Sequence, residues 1–351
     1  MAKEAKFDFE EKRIINEIKK RNAGVVLLQL PEGIKTHAHK LAEILEKNTK
    51  AKIIVSGETC WGGCDIALDE AKNMNADLIV HFGHAPFRNI ENCKNSQVCS
   101  EIKDFRHFDF PIIYAECRDN FDLMPLIKKS LAYLKKFKKI ALVTSVQHIH
   151  KLTNVKKILE DNGKKIIIPE KLGNCAYSGH IVGCEYSGLK KIKNNFEVVL
   201  VLGNRFHALG AALAQNKPVF LADVYNNNIE EMAKFKEKII RQRAIAIDKI
   251  KDAKNIGIII GLKPGQKFGS ADALKEEFEK NGKNAVIITM SEITKDKLMS
   301  FYNIDGFVEL ACPRIAVDDF EKYEKPIITY REALVALGKL KWNDLLDDGF
   351  I

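Results

Sequence analysis

Unbroken apolar runs alternate along this chain with segments of helical period. Gly24–Leu30, Lys52–Gly57, Ala76–Gly83 and Pro111–Cys117 are rich in Val, Ile and Leu, and read as buried strands. Phe7–Arg21 and Ile34–Lys47 place their apolar residues three and four apart, which predicts amphipathic helices. The pattern restarts at Lys139–Ser145, with a helix over Asn154–Asn162 and strands at Lys165–Glu170, Glu197–Asn204 and Pro218–Val224. It restarts again at Asn255–Gly261, with a helix over Ala271–Asn281 and strands at Ala285–Met290, Gly306–Ala311 and Pro326–Tyr330. Helices over Phe121–Phe137 and Ile229–Lys251 would join the units.

The opening strands begin near Val25, Ile140 and Ile256, spacings of 115 and 116 residues. Asn-Gly-Lys follows the first helix in the second and third units, Asn48-Thr49-Lys50 takes that place in the first, and a strand led by Pro111, Pro218 or Pro326 closes each. These regularities mark an internal repeat. The expected fold is α/β: three similar domains, each a roughly four-stranded parallel sheet with flanking helices, set with approximate threefold symmetry around a central site. The expected boundaries are 1–120, 121–228 and 229–351.

Composition narrows the class. The 351 residues exceed one ordinary core, and 46% hydrophobic content excludes a disordered chain. No apolar run approaches the roughly 20 residues of a membrane span, and the charged N-terminus lacks a signal-peptide core, so a cytoplasmic protein is expected. A net charge of +9, spread along the chain, describes solvated helix faces better than a nucleic-acid footprint. Eight cysteines in such a chain point to metal or chemistry before disulfides.

In open parallel sheets, ligands bind beyond the carboxyl ends of the strands. Cys60 follows the second strand of the first unit, Cys184 the second strand of the second unit after an inserted loop, Lys171–Ile181, and Cys312 the third strand of the third. One thiolate from each unit would hold a 4Fe–4S cluster and leave one iron open as a Lewis acid. Cys64 is read as packing in the first turn of the following helix, although Cys60 and Cys64 are also a local pair able to chelate a metal. Cys93 and Cys99 flank an exposed-looking loop, while Cys117 and Cys175 have no evident role. Gly261–Ser270 joins strand to helix and offers backbone N–H groups to an anion; within it Gly265 and Gln266 are candidate ligand contacts. Arg314, beside Cys312, suits a carboxylate. His207 contacts substrate or caps its helix, and His81 and His84 are supporting or packed histidines.

The segments GETCWGGCD, VHFGHAPF, VGCEYSG, LGNRFHALG, GLKPGQKFGS and ACPRIAVDD together resemble the archaeal diphthamide synthases, the 2-(3-amino-3-carboxypropyl)histidine synthases, over nearly the whole chain. The resemblance implies three α/β domains around a 4Fe–4S cluster on Cys60, Cys184 and Cys312, with S-adenosylmethionine on the open iron. It implies cleavage of the bond from sulfonium to Cγ, release of methylthioadenosine, and attack of a 3-amino-3-carboxypropyl radical on C2 of a histidine imidazole in translation elongation factor 2. It also implies a homodimer and an electron donor. Gly265, Gln266, Arg314 and His207 are the residues expected near the transferred group. Two other readings stay open: a Lewis-acid enzyme similar to quinolinate synthase, and a non-catalytic metal-containing module that binds a translation factor.

Overall fold

The computed structural model describes residues 7–87, 110–318 and 322–351. Cys93 and Cys99 lie outside these residues. Three sheets carry the fold. The first contains β2 (Val25–Gln29), β3 (Lys52–Val55), β4 (Leu78–Phe82) and β5 (Ile112–Ala115), ordered β3-β2-β4-β5 and wholly parallel. The second contains β7 (Lys139–Thr144), β8 (Lys165–Ile167), β9 (Val198–Gly203), β10 (Val219–Asp223) and β11 (Asn228–Glu231). Its order is β11-β10-β9-β7-β8, with only β11 antiparallel. The third contains β12 (Asn255–Gly261), β13 (Asn284–Met290), β14 (Gly306–Glu309) and β15 (Ile327–Thr329), ordered β13-β12-β14-β15 and parallel. Each sheet therefore places its strands second-first-third-fourth, the structural form of the sequence repeat.

The central strands β4, β9 and β14 are buried along their full length, which is why they read as unbroken apolar runs. Helices cover both faces. Glu11–Arg21 buries Ile14 and Ile18, and its basic last turn, Lys19 to Arg21, complements the helix dipole. The helix Ala233–Asp252 turns Ile239, Arg243, Ala246, Ile247 and Ile250 inward.

Several boundaries differ from expectation. Phe7–Asp8 is not helical but forms β1, paired antiparallel with β6 (Arg118–Asp119). The first connector is shorter, Met124–Tyr133, started by Pro125, whose missing N–H costs nothing in a first turn. The second begins at Ala233, because Ile229 is buried in β11; that strand extends the second sheet past residue 228. Among the described residues, no helix is long and apolar enough to cross a membrane.

Candidate metal centre

Segments beyond the strand ends of all three sheets line one cavity of about 520 Å³. Cys64, Cys184 and Cys312 all face it, with Gln266, His84 and His207. Cys60 does not. Its side chain lies in a buried group with His81 and His84, whose candidate ligand atoms are within 4.8 Å of one another. Of the expected trio the structure thus brings together Cys184 and Cys312, and it puts Cys64 where Cys60 was expected. Cys64 is not packed in a helix: the next helix starts only at Leu68.

The Cys64 loop is fixed from the third sheet. Gly265 N–H donates to the Cys64 carbonyl at 2.8 Å, and Gln266 Nε2 lies 3.7 Å from Cys64 Sγ. Lys263 bridges Asp65 and Glu292, each at 2.6 Å. Gly265 is needed for this approach, because a Cβ there would lie 2.6 Å from the Cys64 Cβ and 2.7 Å from its Cα. Its N–H is committed to the protein and is not free for a ligand carboxylate, contrary to expectation. Gly265→Val is expected to push the Cys64 loop out of the cavity and lower iron uptake on reconstitution, while secondary structure by circular dichroism stays unchanged. Normal iron uptake would mean that the loop position does not matter.

Cys312 is held by Glu309, whose Oε2 accepts the Ala311 and Cys312 N–H groups, each at 2.9 Å. Burial pushes that carboxyl well above the usual carboxylate range, with these two N–H bonds opposing. Arg314 was expected to pair a substrate carboxylate. Instead its fork is spent on Asp318, with contacts of 2.6 and 2.9 Å, and on the carbonyls of Gly183 at 3.2 Å and Phe206 at 2.9 Å. It also stacks 3.9 Å from the Phe206 ring centroid. Arg314 is a strut that ties the third sheet to the Cys184 loop. His207 faces the cavity, but it does not cap its helix: Asn204 is the cap, accepting the His207 N–H at 3.3 Å and bonding His207 Nδ1 at 2.9 Å.

Burial pushes the Cys64 thiol up to about 11, with the Gln266 hydrogen bond opposing. It drives Cys184 well above the usual thiol range, reinforced by Cys312 and Cys64, and raises Cys312, reinforced by Cys64. Three thiols that repel one another as thiolates need a cationic group between them to ionise. Three soft sulfur donors around a cavity of this size fit an iron–sulfur cluster with one iron open, whereas a closed structural zinc site takes four protein ligands. A second cavity, of about 210 Å³ and lined by Trp61, Met290 and Ile293, meets the first at Gln266, Cys312 and Arg314.

Residues overlooked in the sequence complete the wall. Asn174 and His180, from the inserted loop, face the cavity; Asn174 is buried, with no partner for its Oδ1 among the described residues. Burial lowers His84 and His180 to about 4 and His207 to about 3, the last assisted by the Arg314 charge. All three are therefore neutral when folded, while the unfolded chain takes up their protons near pH 6.5. The unfolded state binds more protons below that pH, so stability is present above it and falls as pH drops towards 4. For the metal-free chain, the three histidines together are expected to cost about 4 kcal/mol between pH 7 and 5.5. Denaturant midpoints at the two pH values measure this, and an unchanged midpoint would mean that these rings are charged in the folded chain.

Three sheets, parallel but for one edge strand, that deliver cysteines to one cavity beyond their strand ends define a thiol-centred α/β enzyme. Residues 30–346 match the family profile of diphthamide synthesis proteins. The 2-(3-amino-3-carboxypropyl)histidine synthase of Pyrococcus horikoshii is 30% identical over 334 residues, covering 94% of this chain and 91% of the relative. The synthase of the same name from Methanocaldococcus jannaschii is 29% identical over 360 residues, covering 98% and 95%. The crystal structure of Pyrococcus horikoshii Dph2 with a 4Fe–4S cluster superposes with a TM-score of 0.83 at 29% identity, covering 97% of this chain and 94% of that one. The chain belongs to the diphthamide synthesis protein family.

Proposed function

We propose that this chain transfers a 3-amino-3-carboxypropyl group from S-adenosylmethionine to C2 of a histidine imidazole of translation elongation factor 2, with Cys64, Cys184 and Cys312 holding a 4Fe–4S cluster. The observation that carries the reading is the convergence of these three cysteines on one cavity, in a chain whose relatives are named for this product. When bound and reduced, the cluster would supply the electron that breaks the Cγ–S bond, releasing methylthioadenosine and the 3-amino-3-carboxypropyl radical; the new bond at C2 replaces the C2–H bond, whose proton leaves to solvent and whose electron returns to the oxidised cluster.

The chain's own residues position and insulate. Three thiolates leave one iron for the amino and carboxylate groups of the donor. Gln266 and Gly265 set the Cys64 sulfur, Glu309 sets Cys312, and Arg314 fixes the Cys184 loop. The neutral histidines His84, His180 and His207 add no positive charge of their own to the wall that would repel the sulfonium. The two cavities that meet at Cys312 give donor and acceptor imidazole separate approaches. The working form is a cytoplasmic homodimer fed by an external electron donor.

The test is product analysis. The reconstituted, reduced chain incubated with S-adenosylmethionine without oxygen is expected to yield methylthioadenosine, and to modify elongation factor 2 when it is added. Exclusive 5′-deoxyadenosine would overturn the bond assignment. No cleavage by an intact, reduced cluster would favour Lewis-acid or structural roles.

A further inference from the structure

The GETCWGGCD segment sends its two cysteines to different places, and the one left out of the cavity does not stand alone. Cys60, His81 and His84 present one sulfur and two ring nitrogens within 4.8 Å of one another. Cys60 and His81 are buried, and His84 is partly buried at the cavity wall. We propose that these three residues form a second, mononuclear metal site for a divalent borderline ion, zinc above all, separate from the cavity cysteines.

Hydrogen bonding aims the ligands. Gln29 is locked, its Nε2 donating to the Asp65 carbonyl at 2.7 Å and its Oε1 accepting the Ala67 N–H at 3.1 Å. That Oε1 lies 2.8 Å from His81 Nδ1, so Nδ1 must carry the proton and Nε2 the lone pair. An amide oxygen receiving the remote N–H is the outer support that ligating histidines use. His81 Nε2 is 3.0 Å from His84 Nδ1. In the metal-free chain one proton joins the two nitrogens. Tetrahedral zinc, with bonds of about 2.0–2.1 Å to nitrogen, sets such nitrogens about 3.3 Å apart. The pair therefore needs to open by only a few tenths of an ångström. On binding, the Cys60 thiol proton leaves and the His84 proton moves from Nδ1 to Nε2. One zinc coordination position remains for water.

The ligand set, two imidazoles and one thiolate, is borderline in softness and suits zinc. The site joins the loop after β3 to the end of β4. A metal there clamps Cys60, four residues before Cys64, and so braces the loop that presents Cys64 to the cavity.

The experiment counts metals on the iron-loaded chain after incubation with zinc and desalting. One retained zinc per chain beside full iron is expected. Cys60→Ala and His81→Ala should each lose the zinc and keep the iron. A second measurement uses cobalt(II) with the Cys64→Ala/Cys184→Ala/Cys312→Ala chain, where a thiolate-to-cobalt absorption band should appear and then vanish on adding Cys60→Ala. No retained zinc, or zinc retained equally by both single variants, would overturn the site; so would loss of iron from Cys60→Ala, because that sulfur would then belong to the cluster. If His81→Ala fails to fold by circular dichroism, His84→Ala at the cavity wall makes the same test. Neither readout involves S-adenosylmethionine, so the site and the transfer reaction fail independently.

Discussion

Cys64→Ala is expected to come through anaerobic reconstitution nearly free of iron and sulfide, while Cys60→Ala loads like the parent chain. The reason is direction. Between the two cysteines the chain turns through Gly62 and Gly63, with the Asp65 N–H donating to the Gly62 carbonyl at 2.9 Å. This sends the Cys64 sulfur into the cavity with Cys184 and Cys312, and the Cys60 sulfur towards His81 and His84. Removing one of three thiolates leaves two ligands for a group that already has one open iron, and the remaining buried thiols revert to their neutral form. Cys184→Ala and Cys312→Ala should match Cys64→Ala. Iron and sulfide assays with visible absorption decide the matter. A Cys60→Ala chain that empties while Cys64→Ala stays loaded would reverse the assignment.

That exchange of cysteines shows what was legible in the sequence. The strand runs, their restarts and the closing prolines report burial and backbone chemistry, which act locally, and the three sheets follow them except for the antiparallel β11, which was read as helix. The segments that meet at the cavity were legible too, because parallel sheets gather function at strand ends. Which of two cysteines four residues apart points inward depends on a turn, and burial patterns do not encode its direction. One signal was available. Gly63-Cys64-Asp65 and Gly183-Cys184-Glu185 share a glycine before the cysteine and an acid after it, which Cys60, between Thr59 and Trp61, lacks. Arg314 misled for a related reason. Its position beside Cys312 was right, but a guanidinium takes the nearest carboxylate, and Asp318, one helical turn on, was already there. Asn174 and His180 went unnoticed because an irregular loop has no period to read.

Arg243→Ala should cause one of the largest stability losses of any single substitution in the chain, about 3–5 kcal/mol. Arg243 and Glu332 are both completely buried. The guanidinium meets the carboxylate with two contacts, 2.7 and 2.6 Å, and donates to the Ala316 and Ile327 carbonyls, each at 2.7 Å. Glu332 in turn accepts the Thr329 N–H at 2.8 Å in a capping box. One side chain thus pins the long helix Ala233–Asp252 to β15 and to the helix that begins just after Cys312. Truncation removes those bonds, leaves a cavity, and abandons a buried carboxylate beside Glu309. A double variant, Arg243→Met with Glu332→Leu, should recover much of the stability, since apolar pairs of similar volume replace buried ion pairs at little cost. Urea unfolding of the parent and the two variants at pH 7 separates these terms. If the single variant is as stable as the parent, the pair is not the pin described. If the double variant is no better than the single, the carbonyl bonds to Ala316 and Ile327 carry the energy, and the segment holding Cys312 and Arg314 is fastened through the backbone.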